Sequence, residues 1–130
     1  MANRDFKNFQ AAEREVKRVY LKATIGASGA PTLVAADSLG VKAIGRNTTG
    51  DYTVTFGTPS GDTEKYNKLL WADGKVLDPA AEDIRVQIDT DTVSSAGTMT
   101  FYTVTSGSAA DPTNGATLLL VFDVKNSSVK

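Results

Sequence analysis

Val19, Leu21, Ala23 and Ile25 alternate with Arg18, Tyr20, Lys22 and Thr24. A period of two puts the two sets on opposite faces of an extended chain, which predicts a half-buried β-strand. The same period returns downstream. Tyr52, Val54 and Phe56 alternate with Thr53 and Thr55, and Ile84, Val86 and Ile88 alternate with Arg85 and Gln87. Residues 98–105 are rich in Thr, Phe, Tyr and Val, types that suit a pleated surface. Turn-forming residues separate these stretches about every eight to twelve positions. The pattern predicts an all-β, single-domain β-sandwich or barrel of about seven or eight short antiparallel strands.

The remaining segments fit that plan. Gly26, Gly29 and Pro31 end the first strand, and Thr32-Leu33-Val34 suggests a short edge strand. Residues 41–46 read as a strand with Val41, Ala43 and Gly45 on one side. Asn47-Thr48-Thr49-Gly50 reads as the turn of a hairpin, its glycine suited to a positive φ. A strand is expected over 66–72, carrying the sole tryptophan, Trp71, and ending at the Asp-Gly turn signal of Ala72-Asp73-Gly74-Lys75. Ser94-Ser95-Ala96-Gly97 breaks the strand that begins near Ile84, and residues 106–117 form a polar loop. The last strand, 118–124, is almost continuously apolar, which predicts a central position with both faces buried. Residues 1–10 read as a mobile arm ahead of the β domain at 11–130. From Phe9 onward, Phe9, Ala12, Val16 and Val19 sit at helical spacing, so a short helix is expected there.

Composition narrows the chemistry. The chain has 130 residues, no Cys and no His. That removes thiolate nucleophiles, zinc–thiolate sites, the commonest general base and the commonest transition-metal ligand. Fourteen basic and 15 acidic residues give a net charge of −1, with no pull toward nucleic acid or an anionic membrane. No stretch approaches the ~20 apolar residues of a membrane helix. Basic residues gather in the first 22 positions (Arg4, Lys7, Arg14, Lys17, Arg18 and Lys22), a segment that can meet an acidic neighbour or stand as a solvated arm.

Carboxylates are the remaining chemical resource. Asp89 and Asp91 are two apart on a predicted strand and share a face, which allows a weak calcium site, although the spacing fits no EF-hand loop. A solubilising strand edge accounts for them more simply. Glu64, Glu82, Asp83 and Asp111 are available for acid–base work, but nothing in the order of residues brings two of them together. Tyr20, Tyr52, Tyr66, Trp71, Phe101 and Tyr102 can stack on bases, yet they are not interleaved with a basic patch, so core packing and protein contacts are the expected uses. The expectation is a protein without catalytic, metal or cofactor sites.

Two features point toward assembly instead. Thr53, Thr55, Thr98, Thr100, Thr103 and Thr105 stand opposite the apolar set, giving polar, uncharged faces that are cheaper to bury than Lys or Glu. Polar ends flank a compact core, and such arms can order on a neighbour. Aromatic and Arg side chains are enriched at binding hot spots. The expected contact residues are therefore Phe6, Phe9, Arg14, Arg18, Tyr66 and Trp71.

Residues 43–56, Ala43-Ile44-Gly45-Arg46-Asn47-Thr48-Thr49-Gly50-Asp51-Tyr52-Thr53-Val54-Thr55-Phe56, resemble a hairpin of small tailed-bacteriophage virion proteins. Residues 118–130, with Val121-Phe122-Asp123-Val124-Lys125-Asn126-Ser127-Ser128, are similar to the last strand and tail of such proteins. The resemblance implies a capsid cement or decoration protein on the virion surface, assembled in the host cytoplasm. Its implied partners are the major capsid protein and copies of itself in a homo-oligomer such as a trimer. Another virion part (connector, tail or fibre) shares these features. A carbohydrate-binding β-sandwich is the rival from a different class.

Overall fold

A computed structural model describes residues 16–58, 61–80 and 83–125. The expected arm, the helical spacing up to position 15 and the contact residues Phe6, Phe9 and Arg14 lie outside them. The described residues form a β-sandwich of nine strands: β1 (Val16–Ile25), β2 (Pro31–Leu33), β3 (Val41–Thr48), β4 (Asp51–Phe56), β5 (Lys68–Leu77), β6 (Arg85–Thr92), β7 (Thr98–Thr105), β8 (Ser108–Ala109) and β9 (Thr117–Lys125). A single helical turn, α1 (Val93–Ala96), joins β6 to β7. Val16 and Val19 belong to β1 and not to a helix, because the period-two set that starts at Val19 is the one that finds a core.

One sheet runs β2-β1-β9-β5, and the other runs β3-β4-β7-β6 with β8 paired to the end of β7. All pairings are antiparallel. The inward positions of both sheets form one apolar core. Leu21, Ile25, Leu118 and Phe122 meet Tyr52, Phe56, Met99 and Phe101. The Phe122 ring sits edge-on to Phe56 at 5.2 Å, and Tyr52 stacks on Phe101 at 5.3 Å, so aromatic pairs lie both across and within the layers.

Four expectations need correction here. Ala43 and Gly45 do not share a side with Val41. A bulge between Val41 and Ala43 shifts the register, so Ile44 pairs with Val54 while Ala43 and Gly45 pair with Thr55 and Thr53. The Asp-Gly pair is not a turn. β5 passes straight through Asp73 and Gly74, which pair with Val121 and Leu120. The glycine is there for space: a Cβ at position 74 would lie 2.8 Å from Leu120 Cγ and 3.2 Å from Val86 Cγ1. Thr103 points inward and is fully buried, its hydroxyl donating to the Ala110 carbonyl at 2.6 Å. Finally, a bulge between Ile88 and Thr90 separates the environments of Asp89 and Asp91. Asp89 accepts from the Thr90 and Thr100 hydroxyls, and Asp91 accepts from the Val93 backbone N–H.

The 106–117 loop folds back on the hairpin of β3 and β4. Asp111 accepts two bonds from Arg46, at 3.0 and 2.8 Å, and one from the Gly50 N–H at 2.8 Å. The Tyr52 hydroxyl donates to the Gly29 carbonyl at 2.9 Å and lies 3.4 Å from the same carboxylate. Asp111 and Tyr52 together thus tie three loops. The Arg46 hydrogen bonds hold the Asp111 carboxyl below its ordinary range, helped by the Gly50 N–H and working against a burial cost. Burial pushes the Tyr52 hydroxyl up, and the Asp111 charge adds to it.

Gly50 has φ +67°, as the hairpin reading expects, and a Cβ there would meet Ala110 N at 2.6 Å and Thr103 O at 2.7 Å. Gly50→Ala therefore adds a left-handed backbone penalty to a backbone clash. It is expected to cost more than about 2 kcal/mol, read as a lower urea midpoint with an unchanged slope.

Candidate functional site

β9 lies at the centre of its sheet, bonded to β1 on one side and β5 on the other. Its inward residues Leu118, Leu120, Phe122 and Val124 are buried, as a central strand requires. The expectation of burial on both faces does not hold, however. Leu119 points outward and is 36% exposed, and Val121 beside it is half-buried. A solvated outer face normally takes polar residues at such positions.

The register builds this face row by row. Lys22 pairs with Leu119, which pairs with Lys75. Tyr20 pairs with Val121, which pairs with Asp73. Arg18 pairs with Asp123, which pairs with Trp71. Thr24, Thr117 and Leu77 form the row at the other end. Leu119 and Val121 floor a groove of about 360 Å³, walled by Tyr20 and Lys22 on β1 and by Asp73 and Lys75 on β5. Tyr20 is 53% exposed, and Trp71 and Leu77 are each 59% exposed. Among the described residues, the large exposed apolar side chains are Val16, Tyr20, Leu39, Trp71, Leu77 and Leu119. All but Leu39 belong to this sheet, and Leu39 follows Ser38, whose hydroxyl bonds the Lys22 backbone at 2.9 and 3.1 Å.

Charges rim the apolar centre. Arg18 grips Asp123 through two bonds of 2.8 and 2.9 Å, which lower the Asp123 carboxyl and raise the Arg18 guanidinium. Lys22 reaches Asp37 at 3.6 Å. Asp73 accepts from its neighbour's N–H, that of Gly74, at 2.8 Å. Among the described residues, neither Asp73 nor Lys75 has an ion pair. The face thus combines an apolar centre, exposed aromatic rings and a charged rim.

The other outer face is different in kind. Thr53, Thr55, Thr98 and Thr100 stand there with Thr90 and Thr92 from the edge strand β6, alongside Ala43 and Gly45. Thr92 and Thr98 share a hydrogen bond at 2.7 Å. This face is mainly polar: the Asp89 carboxylate accepts from the Thr100 hydroxyl at 3.1 Å, and Tyr102 stands on the same side of β7 as Thr98 and Thr100, paired with Asp51.

Of the expected contact residues, Arg18 and Trp71 fall in one row of the apolar-centred face. Tyr66 does not join them. It is 3% exposed, packs edge-on against Phe56 at 5.9 Å and donates to Glu64 at 2.8 Å, which makes it part of the core. Its hydroxyl is pushed up by burial and then by the Glu64 hydrogen bond. Tyr20, Leu119 and Leu77 were missing from the expected set, although the unbroken run 118–122 carried the signal. Among the described residues, no group of three or more acidic side chains is placed to hold a metal ion, and no helix is long and apolar enough to cross a membrane. No family model matches the chain, and no curated protein or solved structure matches it.

Proposed function

We propose that the chain is a non-catalytic structural protein that docks against other protein chains through the outer face of β1, β9 and β5. The observation that carries this reading is the apolar centre of that face. Leu119 and Val121 occupy the middle of a central strand, flanked by exposed Tyr20 and Trp71 and rimmed by charge. The sequence resemblance of residues 43–56 and 118–130 supports the setting: a cement or decoration protein on a virion, bridging major capsid subunits. Small interfaces repeated by symmetry add avidity without any one being tight.

The test is co-sedimentation of the purified chain with shells of the cognate major capsid protein. Saturable pelleting of the wild type is expected, with at least a roughly tenfold loss for Leu119→Asp, which buries an unpaired charge at the centre of the contact. Pelleting no greater than that of an unrelated β-protein would sink the reading.

One observation favours a second reading. Tyr20 and Trp71 flank β9, two strand spacings apart and two residues offset along the strands, about 12 Å between their backbones, with Asp73 and Asp123 nearby. Aromatic rings at that spacing suit a glycan. Against it, Asp123 is held by Arg18 and the floor between the rings is aliphatic, leaving few acceptors for sugar hydroxyls. A glycan array in which wild type binds and Trp71→Ala does not would transfer the face to carbohydrate.

A further inference from the structure

The docking face has a pattern that matches itself. Of the charges on its rows, Arg18 is used by Asp123 and Lys22 by Asp37. Asp73 and Lys75 are left over among the described residues. They stand two apart on the same side of β5, about 6–7 Å along the strand, and make no ion pair with each other. Leftover charges of opposite sign, beside an apolar strip, call for an occupant that brings the same two charges in reverse order.

A second copy of this chain does so. Consider two such faces packed as aligned sheets, related by a two-fold axis lying between them and perpendicular to the strands. Let the axis pass midway between the Lys22–Leu119–Lys75 row and the Tyr20–Val121–Asp73 row. Each row then meets the other row of the second copy. Lys75 stands opposite Asp73 of the second copy, and Asp73 opposite its Lys75. Leu119 meets Val121, and one row further out Leu77 meets Trp71. No like charges face each other. The other in-plane two-fold, along β9, fails on this count, because it sets Lys22 against Lys75 and Asp123 against Asp123. We propose that the outer face of β1, β9 and β5 is an isologous dimer interface closed by reciprocal Lys75–Asp73 ion pairs. This rests on the docking reading above and gives the face to a second copy in place of a capsid subunit, so that any capsid contact of the dimer falls to the faces it turns outward. The dimer would carry two identical threonine faces outward, a bivalent object that can bridge two neighbours.

The geometry makes an unusual demand on charge-reversal variants. Lys75→Asp places two acidic pairs across the axis, and Asp73→Lys places two basic pairs. Each variant alone is expected to dissociate, with at least a roughly tenfold weaker dimer. An equimolar mixture of the two restores both pairs, since one chain then carries two acids and the other two bases. Sedimentation velocity of wild type, each variant and the mixture reads this directly, and circular dichroism confirms that these surface variants remain folded.

A wild-type dimer, two monomeric variants and a dimeric mixture support the inference. A wild-type trimer, or a dimer indifferent to both reversals, overturns it and places self-association elsewhere, with residues 1–15 the next segment to delete. A monomer at all concentrations also overturns it. Shell co-sedimentation of wild type against Leu119→Asp then still decides the docking reading on its own.

Discussion

Phe122→Ala is expected to remove about 3–5 kcal/mol of stability and to lower the thermal midpoint by roughly 10 °C or more. Phe122 is fully buried on the central strand β9, and its ring edge meets Phe56 of the opposite sheet at 5.2 Å. Truncation costs the transfer energy of the ring and leaves a cavity between two sheets whose backbones are fixed by their ladders. The control lies three residues away on the same strand. Leu119→Ala removes a side chain that faces outward, and it is expected to change the stability of the monomer by under about 1 kcal/mol. Thermal unfolding of both variants, followed by circular dichroism at a concentration low enough to avoid association, checks the pair. Equal losses would mean that the face assigned to docking is core.

Asp111→Asn is the second large effect, expected at about 2–3 kcal/mol near neutral pH. Asn keeps the volume but not the charge that Arg46 grips at 2.8 and 3.0 Å, and it weakens the acceptor of the Gly50 N–H. The pH dependence follows from the sign of the shift. In the folded chain the Asp111 carboxyl titrates below its ordinary value, first because of the Arg46 hydrogen bonds. Its stabilisation is therefore fully present above the unfolded carboxylate range, near about pH 4, and is lost as pH falls through the lower folded value. The gap between wild type and Asp111→Asn should be widest at pH 6–7 on the order of the figure above and should close toward about pH 2. Asp123 is lowered too, by Arg18, but it is present in both proteins and cancels in the difference. Urea unfolding across this range is the measurement. A constant gap would show that the carboxylate charge plays no part.

Much of the fold was legible because burial enforces a period of two. Val19, Leu21, Ala23 and Ile25 are all buried, as their alternation required. The elements misread are those where a single non-local contact overrides a local signal. Asp73-Gly74 has the composition of a turn, yet Gly74 is a glycine because Leu120 and Val86 crowd it, and neither neighbour is near in sequence. The bulges in β3 and β6 reverse side-chain facing without leaving a residue type that announces them. Asp111 meets Arg46 across 65 positions and Gly50 across 61, so its role as a tie could not be seen from spacing. Tyr66 and Trp71 are similar residues close together in the chain. Only the ring of Phe56 decides that the first turns inward. The outer face proposed for docking was half legible: the run at 118–122 reads as apolar on both sides, but its outer side finds no cover among the described residues.

The place of β9 also sets an order of events during synthesis. β1 and β5 make no ladder with each other, and each is bonded to β9, which emerges after every other strand described here. All the strands of the β3-β4-β7-β6 sheet precede β9, so that sheet can pair while the chain is still being made, although its β4–β7 ladder spans more than 40 residues. The sheet of β2, β1, β9 and β5 cannot close until residues 117–125 have left the ribosome. Until then β1 has β2 as its ladder partner but keeps an open edge, and Leu21 and Ile25 lack their β9 neighbours, a partly assembled state exposed to aggregation. A chain stalled or cleaved before position 117 should therefore be a substrate for chaperones and proteases, and refolding should show β9 docking as its slow, stability-conferring step.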